Sequence, residues 1–524
     1  MSSIPLDRYP GLPPLFLDFA RGGSPLYPDP PTMDAALARG RALLDDRRTT
    51  PLPARAFRFR GPAGRHAAEE LTAGRAIAVL AGHQVGLFGG PLYTLGKAFD
   101  AIAIARDLAR RGLPAVPVFW ALTDDHDLEE VARTARPGPE GLERLVLEGA
   151  DRSNRAPVGS RPIPDGVTAI VEGFREGARG DEARAIVDDL ARRYAPGETY
   201  GTAFIDTLLD LTGEEEPILV IDPLGGDVSE VARRLFASGR ERRAEVVQTL
   251  RLAAENVKKS GREPVVPFKP DLFPFFTIED GSRRRVEIGD LDRIAGKVGS
   301  GEARVSADVL TRPVLKALVL PAAVSVLGPS EIAYHAQSLP LFSVFDAPVP
   351  VLVPRTFLVP RGPAERRTAA ALDIPDEDLL DPASWRGDAT PVPQADRIGE
   401  VARRLDVELG SLAPSLEEVD PTLAGALETA RRKATYQIEQ LGERVRKAAE
   451  RKDEVAINRR RRLAAMMLPG GEAAERVYPP LVFQLAWGRG VVEALRNAAG
   501  NGGSIAVLDV DVPAQVESEK SHAG

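Results

Sequence analysis

The chain has 524 residues, a formal net charge of −8 and no cysteine. An acidic chain is a poor match for non-specific nucleic-acid binding, which requires clustered Lys and Arg, so no nucleic-acid partner is predicted. The lack of cysteine excludes disulfides, thiolate metal sites and a catalytic thiol. No apolar run in the sequence approaches the ~18 residues of a membrane helix, and the N-terminus shows no signal-peptide pattern. We therefore expect a cytoplasmic protein with no membrane partner.

Residues 76–127 contain the clearest succession of elements in the sequence. A short apolar run, Ala76–Leu80, predicts a strand and leads into a glycine-rich loop, Ala81–Gly90. Pro91 suits the first position of a helix, because its missing N–H would have no partner there. A second apolar run, Val116–Leu122, predicts a buried parallel strand. The order is strand, loop, helix and strand, with polar groups at both strand ends.

Further apolar runs predict strands that belong to the same sheet. They alternate with helical segments and with two insertions rich in charge, Gly and Pro, at about 130–215 and 227–305. Parallel strands that alternate with helices predict an α/β doubly wound core over residues 1–360. Its other predicted elements are helices at 34–48, 66–74, 181–194 and 227–258, short strands within 264–290, and strands at Pro217–Asp222, Ala322–Leu327 and Val349–Val353.

The character of the sequence changes after the core. Residues 361–395 are rich in proline and acidic side chains and are predicted to be a linker. Residues 396–470 are predicted to form a helical region, in which positions from Ala424 to Val455 alternate at spacings of three and four, the rhythm of a coiled coil. Because charged residues and Gly442 interrupt this rhythm, we favour a helix paired within one subunit or between two subunits over a free rod.

The last segment, residues 471–524, is predicted to return to the core. It reads as a helix at 478–498 and a strand at Ile505–Val510. The tail from Pro513 is predicted to be loose.

The loop after the first strand carries the strongest signal for a binding site. Glycines let a backbone approach a ligand closely, and the N–H groups at the start of a helix favour an anion such as phosphate. Polar groups at this point would face the crevice at the carboxyl ends of the strands. The alternatives are a tight strand–helix turn and a buried histidine, because the loop is neither a dinucleotide fingerprint nor a P-loop. The candidate residues are Gly82, His83, Gln84, Gly86, Gly89 and Gly90.

A dense polar cluster follows the second strand. Asp125, His126 and Asp127 come directly after Thr123 and Asp124, and this combination can orient an amine, accept a proton or bind a metal. The alternative is a helix cap with acidic residues in the first turn. A metal is the less favoured interpretation because no second ligand cluster is evident in the sequence. We predict that at least one of Asp125, His126 and Asp127 faces the substrate.

A third polar group opens the helix after the strand at Ala322–Leu327. Glu331, Tyr334 and His335 (or Gln337) lie three or four residues apart, so some of them share a helix face. That face is predicted to look into the same crevice, and a capped helix with half-buried tyrosine and histidine side chains is the alternative. Two arginines, Arg312 and Arg355, are candidates either for binding a phosphate or carboxylate or for structural salt bridges.

Several separated segments carry a family resemblance. In order they read GHQVGLFGGPLYTLGKA, PVFWALTDDHDLEEV, RPVLKALVLPAAVSVLGPSEIAYHAQ and PVPVLVPR, with DPTLAGALE and MLPGGEAAERV further on. Together they resemble the bacillithiol biosynthesis cysteine-adding enzyme family (BshC) over about residues 10–510. The order and spacing of the segments carry the resemblance, since each segment alone is a weak motif.

The resemblance implies a Rossmann-like parallel sheet core with two connecting insertions and a C-terminal helical coiled-coil region that forms a homodimer. It also implies a ligase that joins the carboxyl group of L-cysteine to the amine of glucosaminyl-malate, giving bacillithiol. A free carboxylate must be activated before it forms an amide, which implies ATP and most simply a cysteinyl-adenylate. AMP or ADP would be the product, and the participation of Mg²⁺ is left open.

The resemblance also implies roles for the first two polar clusters. The glycine loop and His83 would hold the nucleotide phosphates, and His83 would stabilise their developing charge. Asp125, His126 or Asp127 would hold the cysteine ammonium or deprotonate the incoming amine. The sequence departs from the family in one relevant place, because the family commonly has Gln where His83 stands.

The remaining candidates would bind the substrates. Glu331, Tyr334 and Gln337 are expected to orient the sugar or the amino acid, and Arg312 or Arg355 to meet the malyl carboxylates. The resemblance also relates the core to class I aminoacyl-tRNA synthetases. The sequence has no clear equivalent of the lysine-rich second signature of those synthetases, so adenylation is inferred from chemistry and resemblance. Two alternatives stay open, a nucleotide-sugar transferase that uses the same crevice and a non-catalytic nucleotide-binding coiled-coil dimer.

Overall fold

The computed structural model describes residues 4–22, 24–45, 52–138, 141–385, 393–420, 423–450 and 454–510. The described residues form two compact units, one made of the chain up to Ala364 and from Met466 onward, the other of Glu365–Ala465. The strands are β1 (Phe57–Arg58), β2 (Ile77–Gln84), β3 (Ala115–Leu122), β4 (Arg133–Gly138), β5 (Gly141–Val146), β6 (Leu219–Ile221), β7 (Leu272–Glu279), β8 (Ser282–Glu287), β9 (Ala303–Ala307), β10 (Ala322–Leu327), β11 (Val351–Pro354), β12 (Phe357–Arg361) and β13 (Ile505–Asp509).

Helices make up most of the remaining regular structure. They are α1 (Pro14–Arg21), α2 (Met33–Asp45), α3 (Gly61–Thr72), α4 (Leu92–Arg110), α5 (Leu128–Val131), α6 (Val167–Gly177), α7 (Gly180–Arg193), α8 (Tyr200–Thr212), α9 (Gly226–Glu241), α10 (Arg243–Lys259), α11 (Leu291–Ser300), α12 (Arg312–Val319), α13 (Pro329–Val344), α14 (Pro363–Ala371), α15 (Pro393–Ser411), α16 (Ala413–Val419), α17 (Leu423–Glu450), α18 (Glu454–Met467), α19 (Ala474–Val477), α20 (Pro480–Trp487) and α21 (Gly490–Ala498). In the described part of the chain, no helix combines the length and apolar character that a membrane span requires.

The main sheet confirms the predicted α/β core. Its strand order is β1-β6-β3-β2-β10-β11, and every pairing is parallel except that of the short edge strand β1. The chain runs from β2 outward through β3 to β6, and then returns to the other side of β2 with β10 and β11. The strand order therefore reverses between β2 and β10, and such a switch point opens a crevice at the carboxyl ends of the strands.

The first strand is longer than the sequence predicts. The prediction ended the strand at Leu80, whereas β2 continues to Gln84, in parallel register with β3 from Ile77↔Ala115 to Gln84↔Leu122. The assignment of residues 81–84 to a loop is therefore wrong. Their backbone groups pair with a neighbouring strand, and this pairing outweighs the glycine at position 82. The true loop is residues 85–91, and Pro91 caps α4 rather than opening it.

The two insertions between the strands have their own structure. Residues after β3 form the antiparallel hairpin β4–β5 and the helices α6, α7 and α8, which confirms the helix predicted at 181–194. Residues after β6 form α9 and α10 and then a three-stranded antiparallel sheet in the order β8-β7-β9, which confirms the short strands predicted within 264–290.

The C-terminal segment of the first unit differs from its prediction in one respect. The single helix predicted at 478–498 is two helices, α20 and α21, because Gly488 adopts a φ of +75° between them. The final strand β13 pairs in parallel with β12 in a sheet of their own. The segment predicted as a linker, 361–395, contains the helix α14 and a buried Trp385. The tail from Pro513 lies outside the described residues.

The second unit confirms the predicted coiled-coil region as helices paired within one chain. Helices α15 and α17 run antiparallel, because Ile398 lies against Gly442 near one end while Asp406 lies 3.4 Å from Arg431 farther along. A Cβ on Gly442 would lie 3.3 Å from the Ile398 side chain. Gly442 lowers the intrinsic stability of α17, but its lack of a side chain lets α15 approach closely.

Candidate active site

A cavity of about 730 Å³ lies at the carboxyl ends of β2 and β10, where the strand order reverses. Nine of the residues singled out in the sequence line it. They are His83, Gln84, Asp125, His126, Asp127, Arg312, Glu331, Tyr334 and Arg355. Four segments that are far apart in the sequence thus meet in one cavity, as the sequence predicts for the ends of parallel strands.

The glycines of the first cluster lie behind or beside this cavity. Gly86 and Gly90 line an adjoining cavity of about 310 Å³ that shares His83 and Gln84 with the first. The Gly86 carbonyl accepts a hydrogen bond from the Tyr194 hydroxyl, which in turn accepts one from the Gly89 N–H. The Gly89 N–H is therefore already satisfied by a side chain, so its predicted contact with a phosphate does not fit this arrangement.

Gly82 has a packing role inside β2. A Cβ at this position would lie 2.7 Å from the Trp120 carbonyl oxygen of the neighbouring strand, so only glycine fits. The Gly82 carbonyl accepts a hydrogen bond from Lys97 Nζ at 3.0 Å. Gly82 thus contributes to the site indirectly, because its carbonyl oxygen positions the Lys97 side chain.

His83 is neutral and fully hydrogen-bonded. Burial is the main cause that lowers the pKa of His83 to about 4, and the nearby charge of Lys97 adds to the shift. Its Nδ1 lies 3.0 Å from the Gln84 carbonyl oxygen and must donate, so Nε2, at 2.7 Å, accepts from the Tyr93 hydroxyl. The expectation that His83 stabilises phosphate charge is therefore corrected, because a neutral imidazole supplies no positive charge and instead orients Tyr93.

The buried histidines make stability depend on acidity. Burial also lowers the pKa of His335 to about 4, so His83 and His335 bind a proton more weakly in the folded chain than in the unfolded chain. Their contribution to stability is complete above about pH 6.5 and is lost as the pH falls toward about 4. We expect the free energy of unfolding, measured by urea titration, to fall less steeply over this range in His335→Gln than in the natural chain. Equal slopes would contradict this assignment.

Lys97 is a buried cation of the site that no sequence motif singled out. Its side chain is 2% exposed, forms an ion pair with Glu331 and lines the cavity. Burial lowers the pKa of Lys97 and the Glu331 charge opposes that shift. Glu331 also accepts a hydrogen bond from Gly328 N–H at 2.6 Å, so its carboxylate is committed to the protein rather than open to a sugar.

Asp125, which follows β3, pairs with two arginine side chains. Asp125 accepts from the His126 N–H at 2.7 Å and lies 3.2 Å from Arg283 Nη1 and 4.0 Å from Arg312 Nη2. Although burial opposes it, hydrogen bonding by His126 and the charges of Arg312 and Arg283 hold the pKa of Asp125 well below its usual range. A carboxylate already shared by two guanidinium groups is a poor receptor for a substrate ammonium, so this predicted role is corrected.

Asp127 and Gln337 form hydrogen bonds with the backbone of the protein. Asp127 caps α5, accepting from the Glu130 N–H at 3.3 Å, while it still lines the cavity. The helix-cap alternative is therefore correct for this residue. Gln337 does not line the cavity, because its amide donates to the Val266 carbonyl oxygen at 2.7 Å and accepts from the Val266 N–H at 3.0 Å.

Arg355 is paired with a carboxylate that no sequence motif singled out. Its guanidinium group forms a buried pair with Glu475, with nitrogen–oxygen distances of 2.8 Å to both carboxylate oxygens. Tyr9 donates a hydrogen bond to Glu475, and the rings of Tyr93 and Phe357 each lie 4.7 Å from the Arg355 guanidinium carbon. The salt-bridge alternative is thus correct for Arg355, which nevertheless reaches the cavity wall.

Comparison with known proteins identifies the family. Residues 54–356 match the model of the BshC N-terminal Rossmann-like domain in bacillithiol biosynthesis, and residues 383–501 match the model of its C-terminal coiled-coil domain. The relative from Koribacter versatilis is 28% identical over 81% of this chain and 82% of its own, and that from Solibacter usitatus is 29% identical over 78% and 79%. Both carry the provisional name cysteine ligase BshC. The chain belongs to the BshC family of bacillithiol biosynthesis proteins.

Proposed function

We propose that the chain is an ATP-dependent cysteine ligase, which joins the carboxyl group of L-cysteine to the amine of glucosaminyl-malate and so forms bacillithiol. The observation that carries the proposal is that the separated family segments meet around one cavity at the switch point of the sheet. The provisional name of the relatives supports the reaction class, and the cavity is large enough for ligands of this size.

The proposed chemistry has two steps. A carboxylate oxygen of cysteine attacks the α-phosphorus of ATP and pyrophosphate leaves, which gives a mixed anhydride. The amine of the sugar then attacks the activated carbonyl carbon, AMP leaves with the bridging oxygen, and the nitrogen loses a proton. The protein must neutralise phosphate charge in the first step and accept a proton in the second. The participation of Mg²⁺ belongs to the same proposal.

Lys97 is the residue best suited to the first requirement. An ammonium group has three N–H donors, and the contacts with Gly82 and Glu331 use two of them. Because Lys97 lines the cavity, the remaining donor is available to a phosphate oxygen there. A preorganised cation in a site from which water is excluded is far more effective than the same charge in water.

Glu130 is suited to the second requirement. It lines the cavity beside Gln84, and although the residue keeps contact with solvent, desolvation at the cavity wall and the charge of Asp127 raise the pKa of Glu130 from its ordinary value. A carboxylate whose pKa is raised toward the working pH is a better general base than an ordinary one. We therefore assign the proton transfer to Glu130 in place of Asp125, which the arginines occupy.

The assembly and location of the enzyme are part of the proposal. We propose a cytoplasmic homodimer that associates through the coiled-coil region. Support for the dimer comes from exposed apolar side chains on the second unit, where Val407, Tyr436 and Leu441 are 71%, 55% and 51% exposed. Sedimentation velocity of the full chain tests the association.

The direct test of the activity is product formation. Incubation of the purified full chain with ATP, L-cysteine and glucosaminyl-malate is expected to give bacillithiol by mass spectrometry, and omission of ATP is expected to abolish it. AMP and pyrophosphate are the expected nucleotide products. A folded chain that forms no amide under these conditions, or that consumes a nucleotide sugar instead, would refute the proposal.

A further inference from the structure

One part of the main cavity is surrounded by arginine side chains. Arg155, Arg283, Arg285 and Arg312 all line it. The guanidinium carbons of Arg283 and Arg285 lie 3.7 Å and 4.9 Å from the centre of the Phe276 ring, which forms an apolar support for both. Such stacking holds a guanidinium group in place without using its N–H edge. The N–H groups of Arg283 already contact Ser306, Ala307 and Asp125, so Arg285 is the one of the two that can turn its edge to a ligand.

The four arginines do not all have a carboxylate partner. Arg283 and Arg312 share Asp125, and the Arg312 Nε is buried without a hydrogen-bond partner in the described structure. Among the described residues, no carboxylate oxygen lies within 4 Å of Arg155 or Arg285. The guanidinium groups of Arg155 and Arg285 therefore have no carboxylate partner among the described residues, whereas the charges of Asp124, Asp125 and Asp308 act on Arg283 and Arg312.

In the same region, each ring nitrogen of His126 faces a guanidinium nitrogen, and these contacts cannot both be hydrogen bonds. Its Nδ1 lies 2.8 Å from Arg283 Nη1 and its Nε2 lies 2.6 Å from Arg155 Nη2. Both guanidinium groups can only donate, whereas a neutral imidazole has one acceptor nitrogen and a protonated imidazole has none. At least one of the two contacts therefore brings donor against donor, whichever tautomer is present.

The contact with Arg155 is the one that can give way. Arg283 is 2% exposed and is held by the Ser306 hydroxyl at 3.2 Å and the Ala307 carbonyl at 3.4 Å. Arg155 is exposed and donates from Nε to the Arg283 carbonyl oxygen at 3.2 Å, so its Nη2 end is the more mobile part of the contact. An anionic oxygen placed between His126 Nε2–H and Arg155 would accept from both and remove the conflict. Arg285, supported on the same Phe276 ring as Arg283, would add a second fork of donors.

We propose that Arg155, His126 and Arg285 form a carboxylate-binding subsite that takes the dicarboxylate part of the acceptor substrate. The inference rests on the proposed function for the identity of that acceptor. Planar guanidinium forks match planar carboxylates in two-point contacts. Arg155 and Arg285 belong to the two insertions, whereas Lys97 belongs to α4. The acceptor and the nucleotide phosphates thus have separate cationic groups.

Steady-state kinetics with two variants and a matched control test this subsite. Arg285→Ala and Arg155→Ala are each expected to raise KM for glucosaminyl-malate by about tenfold, the scale of one charge-assisted hydrogen bond, with KM for cysteine and for ATP changed by less than about twofold. Arg284→Ala is the control, because Arg284 is exposed on the same strand β8 and does not line the cavity. It is expected to match the natural chain.

Calorimetry with L-malate and with pyrophosphate separates the subsite from the proposed activity. Malate is expected to bind the natural chain and Arg284→Ala, and to bind Arg285→Ala about tenfold more weakly. If Arg285→Ala instead changes the KM for ATP, or weakens the binding of pyrophosphate, the arginines bind phosphate and the inference is overturned. If the chain forms bacillithiol but KM for the acceptor is unchanged, the subsite fails while the function stands. Arginine-dependent malate binding without amide formation would refute the function alone.

Discussion

Replacing Lys97 by methionine is expected to lower kcat/KM for amide formation by about 10²- to 10³-fold, the usual cost of removing one preorganised donor from a charge-stabilising site. Lys97 is the buried cation that lines the cavity beside β2 and is held from two sides, by the Gly82 carbonyl and the Glu331 carboxylate. Steady-state kinetics of the variant give the measurement. A loss that falls on kcat rather than on KM for ATP would show that the cation acts in the transition state.

The double variant Lys97→Met/Glu331→Gln separates this catalytic role from a structural one. The single variant leaves the Glu331 carboxylate without its buried partner, which costs about 3–5 kcal/mol of stability. The double variant removes both charges, so we expect it to regain much of the free energy of unfolding in urea titration and to stay inactive. Activity that returns together with stability would mean that the pair only supports the fold.

Replacing Glu475 by glutamine is expected to lower the free energy of unfolding by about 3–5 kcal/mol. Glu475 is 0% exposed and both of its carboxylate oxygens lie 2.8 Å from guanidinium nitrogens of Arg355. The substitution leaves a buried guanidinium without its counter-charge. Urea titration of the full chain measures the loss.

Two controls define the origin of this loss. Tyr9→Phe removes the hydrogen bond to Glu475 and the one that Arg355 Nη2 donates to the Tyr9 hydroxyl at 3.3 Å, and it is expected to cost about 1–3 kcal/mol. Glu255→Gln removes the partner of Arg251 in an exposed pair on α10 and is expected to cost less than about 1 kcal/mol. Similar losses for Glu475→Gln and Glu255→Gln would contradict the account of a buried pair.

The fold could be predicted where one local pattern decides it. The apolar run Ala322–Leu327 became β10 with the same bounds, because a strand buried on both faces leaves a continuous apolar signature. The end of β2 could not be placed, since Gly82 and His83 look like loop residues until the neighbouring strand is known. The glycine at position 488 was a sequence sign of the break between α20 and α21. The apolar residues on both sides continue a helical pattern, so the sequence predicted a single helix.

The sequence predicted which strand ends meet at the candidate cavity, but not which side chains pair with one another there. The sequence places polar residues at strand ends, and the parallel sheet brings those ends together. The sequence does not show that Arg283 pairs with Asp125, or that Glu475 pairs with Arg355, because each ion pair joins segments more than a hundred residues apart. Lys97 did leave a signal, since it interrupts the buried face of α4 and lines up one helical turn after Tyr93.

Isotope transfer from L-cysteine labelled with ¹⁸O in both carboxylate oxygens tests the central claim most directly. If the carboxylate attacks ATP and the amine then attacks the carbonyl, one labelled oxygen must leave in AMP and the other must remain in the amide. Mass spectrometry of both products after a single incubation gives the answer. We predict one ¹⁸O in AMP and one in bacillithiol. Amide formation with no label in any phosphate-containing product would contradict activation of cysteine by ATP.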